Sequence, residues 1–378
     1  MHSAFRKANH PAVYLESKRE DFFTCFQISC QGATSVTTFA IFLCDKIAPA
    51  LRQAVYERTA LAIARDMKAK VPDFRGNRAS LEVCLLRYLA EEENFWFFKM
   101  YLDSPRDFLQ SYIWKCVEEF CSENRRLETF LEDSLTLCYE CILSAVSAST
   151  KVVKDRIDRN DKISLWLDAF CQELGEVLSL PRRDLKGIEH QEVTDIEFLN
   201  NAMTESLSAM KDQLKKELAT ADMSSLERQP HEILAEQFSG CWEQCPFCGA
   251  LCTNTMPNHD GDHQLLFHRP QVLGGYKWDK TDDLSINICS SLVTSNCSFR
   301  IGGDKWMPYK RYRDAGPPFS TWKILPDTSI QAYWKWFVSH FRADLERFYD
   351  GKFQGKGAIP DSWQSITKQQ ALDELEKH

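Results

Sequence analysis

Apolar positions in the first part of the chain recur at helical spacing. Ile47, Leu51, Ala54 and Val55, then Leu61, Ala64 and Met67, step mostly by three and four residues until Val71-Pro72 stops the run. Leu81, Cys84, Leu85, Tyr88 and Leu89 repeat the pattern before the aromatic run Phe95-Trp96-Phe97-Phe98. It continues over 106–146 with Phe108, Tyr112, Trp114, Val117, Phe120 and Cys121, then Phe130, Leu135, Cys138 and Ile142. Further helices are expected at 161–179, opened by Asn160 or Asp161, and at 194–220, opened by Thr194. Pro181-Arg182-Arg183 breaks the chain between them.

The pattern changes near residues 225–240. Four of the 15 glycines and three of the 10 tryptophans precede Gly240, and the rest follow from there. Short β-prone pieces, Ser285 to Cys289 and Ser298 to Gly302, sit among turns at Gly274-Gly275, Gly302-Gly303 and Pro317-Pro318. A helix is expected to return over Ser329–Tyr349, where Ile330, Tyr333, Trp334, Phe337, Phe341, Leu345 and Phe348 share a face, with Gly351 ending it. A last helix follows Thr367. The expected fold is mainly α: a helical, stalk-like region over 1–227, then a smaller α+β, Cys/His-rich domain over 228–378.

Charge narrows the function classes. Forty-six basic against 54 acidic residues give a net charge of −8, so the chain is no general polyanion binder. The whole imbalance lies before residue 241, because the remainder is neutral. Fifteen cysteines, an odd number with no secretory signal ahead of them, read as reduced thiols rather than a disulfide framework. Residues 22–44 carry no charge, but nine of those 23 are Thr, Ser, Gln or Gly. A buried helix pair broken at Gly32 suits them better than a membrane span. The expectation is a soluble intracellular protein.

The densest chemistry is Cys241-Trp-Glu-Gln-Cys245-Pro-Phe-Cys248-Gly-Ala-Leu-Cys252, followed by His259, His263 and His268. Cys245-x2-Cys248, 14 residues, then His263-x4-His268 falls within the Cys2His2 zinc pattern. The Cys-Pro-Phe-Cys-Gly turn lets two thiolates converge on one tetrahedral ion. The expected structural zinc ligands are therefore Cys245, Cys248, His263 and His268. His259 is an alternative to His263, and Cys241, Cys252, Cys289 or Cys297 are alternative thiolates. A redox pair would need a thioredoxin-like βαβ pattern, which is absent. Catalytic zinc would need an open position and a base, and His231-Glu232 fails the H-E-x-x-H pattern at Ala235.

Other candidates read more plainly. Lys305-Trp-Met-Pro-Tyr-Lys310-Arg311-Tyr-Arg313 interleaves cations with aromatics, as a nucleic-acid strip does. The plainer alternative puts its aromatics in the core and its cations in water. The Trp334/Trp336 helix reads as core, while Glu91-Glu92-Glu93 and Asp155, Asp158 and Asp161 read as solvated helix faces. Nothing local marks Cys25 or Cys30 as a nucleophile. Neither G-x-x-x-x-G-K-[ST] nor G-x-G-x-x-G occurs, and Gly355-Lys356-Gly357 lacks the parts of a P-loop. GTP is not expected to bind this chain by that route, and no catalytic constellation is present.

Ser239-Gly-Cys-Trp-Glu-Gln-Cys-Pro-Phe-Cys-Gly-Ala-Leu-Cys-Thr-Asn-Thr255, Asn258-His-Asp-Gly-Asp-His263 and His268-Arg-Pro270 resemble the C-terminal region of the interferon-induced very large GTPases. The resemblance continues through Pro308 to Gly316, Tyr333-Trp-Lys-Trp-Phe337, Ile359-Pro-Asp-Ser-Trp363 and Ile366-Thr-Lys-Gln369. It is specific over roughly 228–378, and 1–227 is a compatible helical region. That family is similar to dynamin-like GTPases in plan, with its G domain far upstream. The resemblance implies GTP binding by family name, a cytosolic and nuclear residence, and an innate-immune setting. For a chain without a P-loop it implies a non-enzymatic tail that mediates protein association or self-assembly. The rival expectation is a nucleic-acid-binding zinc module using residues 305–313.

Overall fold

The computed structural model describes Arg19 and residues 35–154, 162–175, 177–178, 180–185, 196–265, 267–302, 304–326 and 331–377. Its architecture is mainly α, with one two-stranded antiparallel sheet among the described residues. Contacts divide the chain into two compact units. One comprises Met1–Ile63 with Phe120–Pro230, the other Ala64–Glu119 with His231–His378.

In the first unit, the Arg126–Lys154 helix packs on the Lys162–Leu174 and Ile196–Leu218 helices. Its inward row Leu131, Leu135, Cys138, Ile142, Ala145 and Val146 is fully buried, as three- and four-residue spacing requires of one helix face. Phe39, Leu43, Ile47, Leu51 and Val55, from the Ser35–Lys70 helix, join the same core with Trp166 and Phe170. The described part of the uncharged 22–44 stretch is thus buried helix, and no described helix is long and apolar enough to cross a membrane. Gly32, Cys25, Cys30, Asp155, Asp158, Asn160, Asp161 and Thr194 lie outside the described residues.

Several helix boundaries differ from the periodicity. The run over 106–146 is two helices, Pro105–Ser122 and Arg126–Lys154, parted where Asn124 takes φ 52°. The expected Ser329–Tyr349 helix is likewise Ala332–His340 and Arg342–Phe348, broken at Phe341. Ser285 to Cys289 forms only an isolated bridge between Ile288 and Pro270, and Cys289 opens a short helix, so the expected strand is absent there. Ser298–Gly302 is a strand and pairs with Lys305–Pro308. Thr367 caps the last helix, Lys368–Leu375, in a reciprocal box with Gln370.

The second unit is discontinuous in sequence for a packing reason. The run opening the Phe95–Asp103 helix, whose Asn94 cap accepts from the Trp96 and Phe97 N–H groups, buries Phe95 and Phe98, rings that are costly to leave in water. Its partners lie far downstream: Phe98 meets Phe337 at 4.4 Å and Phe341 at 5.5 Å between ring centroids, and Phe95 meets Phe341 at 5.8 Å. Tyr333 donates from its hydroxyl to the Leu86 carbonyl, and Lys368 pairs with Glu93 at 2.6 Å. Residues 64–119 therefore group with 231–378, whereas a single cut between 227 and 228 would part them.

Phe98 has no solvent exposure, so Phe98→Ala is expected to cost this unit about 3–5 kcal/mol, read by urea denaturation. A cost below about 1 kcal/mol would mean that the aromatic contact does not hold the discontinuous unit together.

Candidate metal centres

Residues 243–252 form a tight hairpin. The Cys245 N–H donates to the Ala250 carbonyl at 2.8 Å, and the Cys252 N–H donates to Glu243 at 2.9 Å. Gly249, at φ 68°, takes the left-handed conformation that closes the turn and gives its N–H to the Cys245 carbonyl. The tip of this hairpin carries Cys245 and Cys248. Cys252 closes its base, where Cys241 is aligned by an N–H bond to the Asn254 carbonyl at 2.9 Å.

That geometry divides the cysteines between two places. Cys245 and Cys248 meet His268 and Cys289, while Cys241 and Cys252 meet His259 and His263. Within each set the four donor atoms lie within 4.8 Å of one another, so each set could hold a metal ion. A tetrahedral ion with Zn–S of about 2.3 Å and Zn–N of about 2.0 Å separates its donors by roughly 3.3–3.8 Å.

The tip set is buried throughout. Its Nδ1 of His268 faces three sulfurs, at 3.6 Å from Cys245, 3.5 Å from Cys248 and 2.8 Å from Cys289. Cys245 and Cys289 are 3.9 Å apart. One ring nitrogen cannot satisfy three thiols, but a cation can engage all four groups together. Burial pushes the Cys245 and Cys289 thiols well up. At Cys248, burial is overridden by hydrogen bonds from Cys245, Cys289 and His268, and the thiol falls well below its ordinary value. Backbone pairing delivers Cys289: Gln271 N–H donates to Asn287 and Val272 N–H to Ser285, which brings the Ile288–Cys289 corner beside His268.

The base set is half-buried at its histidines. Cys241 Sγ lies 3.4 Å from His263 Nδ1, Cys252 Sγ 3.5 Å from His259 Nε2, and the two ring nitrogens are 3.0 Å apart. Burial, then the neighbouring His259, holds His263 below the usual histidine value, which favours the neutral ring that a metal ligand needs.

Of the four ligands expected from spacing, the structure brings Cys245, Cys248 and His268 together and places His263 in the other set. Cys289 is their fourth neighbour. It stands 21 positions past His268, outside the finger spacing, and only its residue type marked it as a candidate. Cys297 is exposed and belongs to neither set. The remaining described cysteines are free thiols, and burial pushes Cys44 up to about 12 and Cys84 to about 11.

Two buried arginines support the region. Arg78, from the Arg78–Glu92 helix, donates to the Cys252 carbonyl and lies 5.3 Å from the Trp242 ring centroid. Arg269, next to His268, sits between Tyr101 and Trp334 and donates to the Tyr101 hydroxyl at 2.8 Å.

The 305–313 strip is mostly structural. Tyr309 and Tyr312 are buried, Arg313 makes a bidentate pair with Asp262 at 2.7 and 2.8 Å, Arg311 pairs with Asp314, and Lys310 reaches Asn296. Trp334 and Trp336 are core, as their helical spacing implies.

The fold and its site define a helical protein with a Cys/His-organised C-terminal module. Residues 241–375 match the family described as "Interferon-induced very large GTPase 1, C-terminal domain". The whole chain is 47% identical over 379 aligned positions to interferon-induced very large GTPase 1 of Mus musculus, and equally to that of Homo sapiens. It spans 16% of the length of each of these curated relatives. This chain is therefore a C-terminal region of the interferon-induced very large GTPase family. No solved structure matches it.

Arg78→Met is expected to cost about 2–4 kcal/mol, because it removes a buried donor from the backbone of the candidate ligand Cys252 and strips Glu82 of one of its two nearby cations. Chemical denaturation monitored by tryptophan fluorescence reads the change. Stability equal to the parent would show that the guanidinium is dispensable.

Proposed function

We propose that this chain is a non-catalytic tail module of an interferon-induced very large GTPase, stabilised by structural zinc and serving protein association or self-assembly. The observation that carries the metal reading is the convergence of three thiols on one imidazole nitrogen in a buried, four-donor set. Four protein donors around one ion leave no open coordination position, which suits a folding role rather than activation of water. Zn2+ is among the cations that a soft thiolate set selects, and Cys3His in tetrahedral geometry is one of its structural donor sets. The relatives' names carry the interferon setting; an innate-immune role and a residence in cytoplasm and nucleus are part of the same proposal. GTP binding belongs to the family name; with no P-loop in its sequence, this chain is assigned no nucleotide.

Association is supported by a group of exposed apolar side chains. Trp96 is 62% and Met100 55% exposed one helical turn apart, and Phe348 lies 5.9 Å from the Trp96 ring. Self-association is the form to test first. Sedimentation velocity over a concentration series should show association that weakens in Trp96→Ser with Met100→Ser. A chain that remains monomeric at every concentration would remove this support.

The nucleic-acid reading retains Lys305 and the half-exposed Trp306, while Arg311 and Arg313 are engaged by carboxylates. Steeply salt-dependent RNA or DNA binding, lost when Lys305, Lys310, Arg311 and Arg313 become Ala, would favour it over association.

Cys245→Ser is expected to lose the tip-set metal and the protease resistance of residues 241–375 while the Arg126–Lys154 helix and its core stay folded. Elemental mass spectrometry and limited proteolysis of the full chain read both effects. Undiminished resistance with the metal gone would refute the folding role.

A further inference from the structure

We infer that the chain holds two zinc-class ions rather than one, the second bound by Cys241, Cys252, His259 and His263 at the base of the hairpin. This deepens the metal reading above and rests on it for the tip set.

The two sets share no residue, and their members interleave along the chain. Cys241 and Cys252 enclose Cys245 and Cys248, and His259 and His263 precede His268 and Cys289. A hairpin generates this nesting directly, since residues near its tip converge at one end and those flanking it converge at the other. No single-finger reading uses all eight groups, although all eight are gathered.

Donor separations in the base set fit one tetrahedral ion. Its S···N distances of 3.4 and 3.5 Å match the roughly 3.5 Å edge of mixed S/N coordination. The N···N distance of 3.0 Å is slightly shorter than the corresponding edge of roughly 3.3 Å.

The surrounding groups are those that orient metal ligands. His259 Nδ1 lies 3.3 Å from the Asp260 carbonyl oxygen, which accepts a hydrogen bond from Nδ1–H and leaves Nε2 as the lone-pair atom facing Cys252. The Asn254 N–H points at Cys252 Sγ at 3.5 Å, a contact that favours the thiolate. His263 is clamped on both sides of its backbone, by its N–H to Thr321 at 2.7 Å and by Lys323 N–H to its carbonyl at 2.8 Å. Asp262, the preceding residue, is fixed by Arg313. The strip residue Arg313 thereby supports the metal loop.

The two ions differ in access. Two thiolates and two imidazoles neutralise a divalent ion, whereas three thiolates and one imidazole leave a net charge of −1 in a closed interior. With His259 and His263 half-buried, a chelator reaches the base-set ion first.

Native and elemental mass spectrometry of the full chain, purified without added metal, should find two zinc ions per chain. Cys252→Ser and His259→Ala should each retain one, and a colorimetric chelator should withdraw the two in separate phases. One ion per chain, unchanged by Cys252→Ser, would overturn the second site while leaving the tip-set reading standing. A folded chain with no ion would sink both. Release of both ions in a single phase would overturn the order of access. Should the variants fail to fold, zinc X-ray absorption on the unmutated chain decides. Two sites average about 2.5 sulfur and 1.5 nitrogen neighbours per zinc, whereas the tip set alone gives about three and one.

Discussion

The second unit depends on the backbone register of the hairpin over residues 243–252. The mutual placement of Cys245 and Ala250, and of Cys252 and Glu243, fixes which cysteines share a tip and which share a base. A slip of one residue would turn alternate side chains to the opposite side and mix the two sets. Gly249 at φ 68° enforces the register, because a residue with a Cβ pays a steric cost in that conformation. The hairpin contributes Phe247 as well, which packs on Phe299, Tyr309 and Phe319 at 4.9–5.2 Å. The same turn that presents two thiols therefore anchors the small sheet and its following segment.

Buried cations tie this module to the helices of its own unit. Arg78 reaches the Cys252 carbonyl from one helix, and Arg269 reaches Tyr101 from the segment just past His268. Glu82 lies 3.9 Å from both guanidinium groups and accepts from Tyr101. Taking two guanidiniums out of water is costly unless carboxylate, carbonyl and aromatic faces replace the solvent, and each of these is supplied. Such a network loses much of its value when one member is removed, so the helix and the Cys/His loop depend on each other more than either depends on surface ion pairs.

The basic and aromatic strip illustrates how composition can suggest one role and packing another. Tyr309 and Tyr312 fill the core, and the Tyr312 hydroxyl donates to the Trp322 carbonyl while accepting from the Ile324 N–H. Two of the four cations meet carboxylates. What reads linearly as a binding ribbon is largely a brace for the His263 loop. Exposed apolar surface is instead grouped around Trp96, in a stretch that the sequence marked only as an aromatic run.

Local physics was legible in the sequence. Three- and four-residue spacing gave the helices, Val71-Pro72 and Thr367 gave termini, and Cys-Pro-Phe-Cys-Gly marked the knuckle, because these depend on neighbours within a few positions. Partition of the candidate ligands was not legible: Cys245-x2-Cys248 with His263-x4-His268 is a sound linear template, yet His263 lies with Cys241 and Cys289 with His268. Breaks at Asn124 and Phe341 were hidden because apolar spacing carries across a kink. The alliance of residues 64–119 with 231–378 was hidden for a related reason, since nothing near Phe95–Phe98 names Phe337 and Phe341 as partners. Sequence determined which segments coil and which residues can ligate; tertiary structure decided who meets whom, because convergence across some twenty to more than two hundred positions is set by packing and hairpin register rather than by spacing along the chain.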